Sequence, residues 1–533
     1  IRLSLVGSEM CIRDRVDIPA GTSVVGPGTI RKLNAGSAAQ NLLVLSGNNA
    51  IENLTIDGNS DALVGADSTQ HHDITVEGSN NTVRDCRFSD AGGSSISGSS
   101  AIQDVRIENC TFDEWTDHAV YFSTSVSGVS ITGNQFRSTA GGETIKFRND
   151  GRMVSIASNT FATYGRWVML QHSIASPTGI ADVAIAGNAG TCQTTPFLCN
   201  CDASSDKVVE RVSITGNSIS LDSSITAVQG IINMDWLNVM SSRHISISGN
   251  IFRNLVSFGC SGDAGDYAAE RVIDGNVFVI DTGKTIASAP MSFYKCRNIA
   301  VRNNIFRFDA FSYGNYLAYI DDLSDVTFEG NTFDAGAIWL ASLADADGVT
   351  VRFRNNTIRT LSRRPFTAGA VTGSSLVVWD GNDVTQSASY PWVFDEGAVT
   401  DETKYAIGLN SVNGLPIQRR YASAVTAAAH PGTAIPADSP FVTITSSDAN
   451  HIAILPAASP GMKVEGYVGA NGCEFYASGS SININGVVCS ATNEAAMPAN
   501  SLWKAECVGA SDWILTYTTS AGAAGATITP DAR

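Results

Sequence analysis

Charge is scarce in this chain: 16% of its 533 residues are Asp, Glu, Lys or Arg. No stretch of eighteen apolar residues offers a membrane-spanning helix, and no long amphipathic pattern offers an extended surface helix. Membrane insertion is therefore not expected. Eleven cysteines occur without one C-x-x-C pair or a Cys/His zinc spacing, which removes the common structural zinc folds. The tightest cysteine group, Cys192, Cys199 and Cys201, leaves the redox compartment open. An excess of positive charge is also missing, and a net charge of −17 repels a polyanion. Nucleic-acid binding is not expected.

What is present is 49 glycines in a texture of Ser, Thr, Asn, Val and Ile, which suits strands and tight turns. The length exceeds one ordinary core and suits a solenoid plus a small domain. Residues 1–15, IRLSLVGSEMCIRDR, lack the basic segment and small-residue cleavage site of a secretion signal. They resemble translated sequencing-adapter sequence from a metagenomic read, so they are expected to lie outside the fold, with the true N-terminus missing.

An eight-residue phrase recurs with apolar residues at its first, third and eighth places and usually Asn at its sixth. Examples are VSITGNQF (129–136), VSIASNTF (154–161), ISISGNIF (245–252) and VRFRNNTI (351–358). The sixth place falls at Asn59, Cys86, Cys110, Asn134, Asn159, Asn188, Asn217, Asn250, Asn276, Asn304, Asn331, Asn356 and Asn382. The step averages about 27 residues, within the range of solenoid repeats.

Alternation within the phrase predicts a strand buried on one side, and the Gly-Asn or Asn-Asn pair supplies a left-handed bend. One such coil cannot bury its apolar face, whereas stacked coils form parallel sheets about 4.8 Å apart around a shared interior. Twelve steps give a rod on the order of 58 Å long. Stacked Asn amides can pass N–H to O=C along the rod, so the column's expected role is stability. Cys86 and Cys110 take the Asn place on adjacent coils, within disulfide range, but parallel side chains favour two reduced, buried thiols. Steps lengthen between Asn159 and Asn250, and insertions on a solenoid commonly build its binding face. Residues 162–245 are the first place to look for function.

These phrases resemble the pectate-lyase-like right-handed parallel β-helix superfamily. The opening segment VDIPAGTSVVGPGTIRKLN (16–34) resembles the start of the rod in its carbohydrate-active and phage tailspike members. The expected fold is all-β: a right-handed parallel β-helix of about thirteen coils over 16–399, a neck over 400–440 and a small β-domain over 441–533. That last part, from ILPAASPGMKV through MPAN (497–500) to DWILTYT (512–518), resembles the β-domains that close phage tail and fibre proteins. The resemblance implies a homotrimer in a virion tail or an extracellular setting. By analogy with pectate lyases it also implies Ca2+ as a cofactor.

The strands preceding each phrase are HAVYFS (118–123), ETIKFRN (143–149), WVMLQHS (167–173), GIINMDW (230–236) and MSFYKC (291–296). Period-2 alternation places Val120, Phe122, Ile145, Phe147, Ile232, Met234, Met291 and Phe293 inside. It sends Tyr121, Lys146, Arg148, Gln171 (His172 if the strand shifts by one), Asn233, Asp235, Ser292 and Tyr294 outward, with Trp236 beyond, as one polar stripe. Rings stack on sugars and cations pair with uronate carboxylates, so Tyr121, Gln171, Asn233 and Trp236 are the expected binders of a polysaccharide.

Two chemistries fit the stripe. In β-elimination a base removes the proton beside a uronate while cations hold the developing charge, and Lys146, Arg148, His172 and Tyr294 supply those types. Hydrolysis requires two carboxyl groups about 5 to 9.5 Å apart. Asp235 is the one clear outward carboxylate, with Glu143, Asp150, Asp263 and Asp266 as partners. The alternative is a stripe that is only solvated, on a non-catalytic adhesive or structural fibre. His118 shares the parity of Val120 and is expected inside with a local hydrogen bond, and Asp113, Glu114 and Asp117 are expected to decorate a turn. The acidic runs DAGD (263–266) and DADG (345–348) lack calcium-loop spacing, so no metal ligand is assigned.

Overall fold

Each repeat folds as its alternation demands, and in the computed structural model the pattern becomes a right-handed parallel β-helix of about thirteen turns. The structure describes residues 2–4, 9–12, 15–33, 41–60, 71–98, 100–140, 142–172, 179–201, 209–230, 232–234, 242–261, 268–284, 290–294, 296–308, 316–321, 324–334, 339–343, 349–361, 366–368, 375–386, 405–412, 415–418, 422–429, 431–436, 441–477, 482–489, 493–519 and 531–532. One coil shows the plan: a long strand Val126–Thr132, a corner at Gly133-Asn134, a short strand Gln135–Ser138, and a third strand Ile145–Arg148. Each strand pairs in parallel, residue for residue, with its counterpart one coil on. No helix among the described residues is long and apolar enough to cross a membrane.

The corner works as an amide ladder. From Asn134 through Asn356, each Asn donates both its backbone N–H and its Nδ2 to Oδ1 of the next coil's Asn, at 2.8–3.0 Å. The second Nδ2 hydrogen goes to a strand carbonyl, as from Asn159 to Ile131 at 2.9 Å. Every polar atom of a buried amide is thereby satisfied, which a side chain removed from water requires. The left-handed residue is the one before the Asn: Gly133, Ser158, Gly187, Gly216 and Gly249 have φ between 55° and 71°. Cys86 and Cys110 are free thiols, as expected, and they point where the amides point, donating to Ile51 O and Val83 O at 3.6 Å.

Phenylalanines stack along the interior at Phe88, Phe112, Phe136 and Phe161, with centroids 4.7, 4.8 and 5.0 Å apart. The column then meets Gly190, in register with Phe161. Gly190 has φ 144°, and a Cβ there would fall 1.8 Å from Phe161 O. Trp167 stacks on Phe161 at 4.4 Å and donates Nε1–H to Thr191 O at 3.2 Å. A second column, Phe252, Phe278, Phe306 and Phe333, runs further along. Each fully buried ring contributes about 1.5–3 kcal/mol of transfer free energy. Arg271 interrupts an aliphatic column between Ile245 and Ile299, and burial pushes its guanidinium down to about 10.

Residues 1–15 are expected outside the rod, but Arg2–Ser4 and Glu9–Ile12 pair in parallel with Ser23–Lys32. The first coil's edge carries unpaired N–H and C=O groups that any β-prone segment can satisfy.

The chain divides into two units, one of Ile1–Val378, Asn382–Lys404 and Val412–Gly414, the other of Trp379–Gly381, Tyr405–Ser411 and Leu415–Arg533. The second is a separate β-structure. Ala422–Thr426, Phe441–Thr445 and Lys463–Val468 run parallel, and Ser501–Gly509 and Asp512–Thr519 continue that sheet antiparallel. A further sheet includes Ile452–Leu455, Cys473–Ala477 and Asn493–Met497. Val442, Leu455, Phe475, Trp503 and Trp513 fill the space between strands. The Ala- and Pro-rich segment read as a neck supplies Ala422–Thr426 and Thr433–Ala434 to these sheets, because its residues still alternate.

Candidate functional site

The third strands form one parallel sheet in the order Val16–Ile18, Leu43–Leu45, Ile74–Val76, Ile96–Gly98, Val120–Phe122, Ile145–Arg148, Val168–His172, Phe197–Cys201 and Ile232–Met234. Val120, Phe122, Ile145, Phe147 and Leu170 are buried inside, and Tyr121, Lys146 and Gln171 are half-buried on the outer side, with Arg148 exposed. Leu170 inside fixes the frame, so Gln171 and not His172 is the outward residue in register with Arg148.

The register also corrects the stripe. Lys146 aligns with Met169, Met169 with Leu198 and Leu198 with Asn233. Met169 and Leu198 are 7% and 5% exposed, so two apolar, covered positions interrupt the polar column. Tyr294 belongs to a different sheet, with Leu255–Ser261 and Tyr316–Asp321. It lies six coils from Tyr121, about 29 Å along the rod at the usual strand spacing. A single reacting bond therefore cannot engage residues of both strands. Asp235, Trp236, Asp263, Asp266 and the run 345–348 lie outside the described residues, as do the side chains of His172, Asn233 and Tyr294. Asp150 is buried and accepts from Ser125 Oγ at 2.8 Å and Gly179 N at 2.7 Å, so it holds a turn.

Around Tyr121 and Lys146 the structure assembles a column of polar residues that precede the third strands. The position two before each third strand stacks His72, Ser94, His118, Glu143 and Arg166 on successive coils. His118 is buried, with Nδ1 2.7 Å from Asp117 Oδ2 and Nε2 3.3 Å from Glu143 Oε2. Neither oxygen lies in line with its N–H, so the attraction is chiefly ionic. Desolvation pulls the imidazole down, but Asp117 and Glu143 outweigh it and raise His118 above its ordinary value. Glu143 also takes Arg166 Nη1 at 3.0 Å, and the contact with His118 holds its carboxyl down to about 2. His72, by contrast, is driven down to about 4 by burial, and its Nδ1 accepts from Ser94 N at 3.1 Å.

His118 then presents its face to Tyr121, stacked at 4.8 Å, and Lys146 Nζ stands 5.7 Å over the Tyr121 ring. The result is a braced aromatic ring capped by a cation, at the outer surface of adjacent coils. His118 is inside with local partners, as its parity implies. Asp117 does more than decorate a turn, because its carboxylate, with that of Glu143, raises that histidine's affinity for a proton. Among the described residues no group of three or more His, Cys, Asp or Glu side chains is arranged to hold a metal ion.

No curated protein matches the chain. Among solved structures it is similar to the surface adhesin PfbA of Streptococcus pneumoniae, at 11% identity over 69% of this chain and 85% of that one, with a TM-score of 0.36. It is similar to the tailspike protein of E. coli bacteriophage HK620, at 16% identity over 62% of each chain and a TM-score of 0.35. It is also similar to endo-xylogalacturonan hydrolase from Aspergillus tubingensis, at 12% identity over 74% of this chain and 91% of that one, with a TM-score of 0.30. These likenesses concern architecture alone. Residues 29–136 match the family model of the right-handed β-helix region.

Proposed function

We propose that this chain binds an extended surface polysaccharide along the side of its rod, as a tailspike-like or fibre-like protein. The observation that carries this reading is the Lys146 ammonium over the Tyr121 ring, with that ring stacked on a histidine clamped by Asp117 and Glu143. With His118 stacked on the ring and Lys146 over it, the site offers a sugar an ammonium already held in place, at little entropic cost. Lys146, exposed Arg148 and Arg166 add cations along the same few coils, which suits a chain carrying carboxylates. On this reading the protein works in a virion tail or outside the cell, and it assembles as a homotrimer.

Depolymerisation is the second part of the proposal. Glu143, held near 2, is ionised across the physiological range and cannot act as a general acid. That disfavours hydrolysis through Glu143 as the proton donor and favours β-elimination, in which Arg148 holds the uronate, Lys146 as its neutral amine takes the proton beside it, and the glycosidic oxygen leaves with a proton from water. The test is incubation of the whole chain with uronate-containing polysaccharides, following absorbance at 235 nm, new reducing ends and retention of the polymer. A rise at 235 nm supports a lyase. Reducing ends without that rise indicate a hydrolase, and retention alone indicates an adhesin. Absence of all three across acidic and neutral polymers overturns the proposal.

A further inference from the structure

The outward column of the third-strand sheet is closed on both sides of Tyr121 and Lys146. Register runs that column through Asp17, Val44, Thr75, Ser97, Tyr121, Lys146, Met169 and Leu198 on successive coils. Val44, Thr75 and Ser97 are 1%, 2% and 3% exposed although they point outward, and Met169 and Leu198 are covered as well. Side chains as small as those three do not shield one another on a sheet, so other parts of the chain lie over them. Between the covered stretches stand Tyr121 and Lys146, a window of two coils, about 10 Å along the rod. Across the rod the window stays open. Lys146 and Arg148 lie on the outer side of one strand, about 7 Å apart, and neither has an ion-pair partner among the described residues. Arg148 is exposed at one end, and the side chains of Glu143 and Arg166 are 20% and 31% exposed at the other.

We infer that the polymer crosses the coils at this window, and that the site takes a short internal segment of an acidic chain with its charged unit between Lys146 and Arg148. A chain that followed the stack of coils would have to lie on Ser97 and Met169, which it cannot reach. A chain laid parallel to the strand meets accessible groups at both ends, so it continues in both directions, and the segment bound is internal. From Glu143 to Arg148 the backbone spans at most about 17 Å, room for roughly two or three sugar units. A carboxylate at Arg148 gains a charge-assisted, bidentate contact that the guanidinium does not make within the chain. The inference rests on the reading of the rod's side as polysaccharide-binding and adds the direction, length and charge of the segment held there.

Titration of the full chain with oligogalacturonates and oligomannuronates, each from the monomer to the octamer, tests it. Affinity for at least one series is expected to rise up to the trimer and then to gain only what the added binding registers supply. Affinity that climbs tenfold or more from trimer to octamer overturns the inference and leaves the binding reading standing. No binding at any length overturns both. Two variants read the direction separately, with unaltered thermal midpoints showing each folded. Arg148→Ala is expected to weaken the trimer about tenfold. Asp17→Lys adds a cation at an exposed place in the same column, four coils or about 19 Å from Tyr121 and beyond the roughly 8 Å screening length of physiological salt. It is expected to leave octamer affinity unchanged. Tighter octamer binding by Asp17→Lys would place the polymer along the stack and overturn the inference, as would an Arg148→Ala chain that binds the trimer like the wild type.

Discussion

Asn159 donates twice to one atom of Asn188: its backbone N–H and its Nδ2 both reach Oδ1, at 2.9 and 3.0 Å. Asn188 repeats the act toward Asn217 and sends its other Nδ2 hydrogen to Ile156 O. Each rung therefore satisfies the one before it. Asn188→Ala removes an acceptor for two buried donors and the donor to two buried acceptors. The expected loss is about 3 kcal/mol or more, since each stranded buried group costs roughly 1–3 kcal/mol. Denaturant unfolding of the whole chain measures it, and a loss below about 1 kcal/mol would show that water replaces the amide.

The histidine clamp makes stability depend on pH in two opposite directions. Glu143 is depressed to about 2, so its contribution is complete above the unfolded value near 4.5 and disappears as pH falls toward 2. His118 is raised, so its contribution is complete below about 6.5 and is lost as pH rises through its folded value. Thermal midpoints are expected to peak between about pH 4.5 and 6.5. His118→Gln should flatten the alkaline arm, and Glu143→Gln the acidic one. Profiles of both variants that parallel the wild type would show that other groups set the dependence.

The inward residues and the Asn corner were legible because their period is two within a strand and about 27 between coils, and both survive loop variation. The site was only half legible. Tyr121, Lys146 and the inward His118 follow from parity, but the column of His72, Ser94, His118, Glu143 and Arg166 precedes its strands and follows loops of unequal length. Counting two residues back from Ile74, Ile96, Val120, Ile145 and Val168 would have revealed the column. The supposed stripe went wrong for a different reason. Outward polar residues hold different places on successive coils, and Met169 and Leu198 stand between Lys146 and Asn233. At Gly190 the phenylalanine column has no side chain, and the Trp167 ring stacks on Phe161 there.

Lys146→Ala separates binding from folding. The side chain is half-buried on the outer surface and leaves no interior cavity, so stability should change by less than about 0.5 kcal/mol. Its ammonium over Tyr121 and its charge toward an acidic sugar should together be worth about 1–2 kcal/mol of binding, roughly tenfold in affinity. Titration of a uronate oligosaccharide at low and high salt reads this out. The defect should shrink as salt screens the charge. A Lys146→Ala chain that unfolds instead would mean the lysine braces the ring stack more than it meets ligand.

Cys86 and Cys110 extend the ladder imperfectly. Cys110 still donates its backbone N–H to Asn134 Oδ1 at 2.8 Å, but a thiol offers one weak donor where an amide offers two. The sulfurs point to Val83 O and Ile51 O, the kind of strand carbonyl that Nδ2 meets further along, as Asn134 meets Ile107 O at 2.9 Å. Replacing both, Cys86→Asn with Cys110→Asn, should therefore add two rungs. The new Oδ1 at 110 would accept from the backbone and side chain of 86. The gain expected is about 1–2 kcal/mol, from two or more hydrogen bonds each worth about 1 kcal/mol net. Either single change should gain less, because a lone amide at 86 finds no Oδ1 above it and a lone amide at 110 receives only one of its two donors. A double variant less stable than the wild type would mean that the thiols' packing as small hydrophobes outweighs the missing amides.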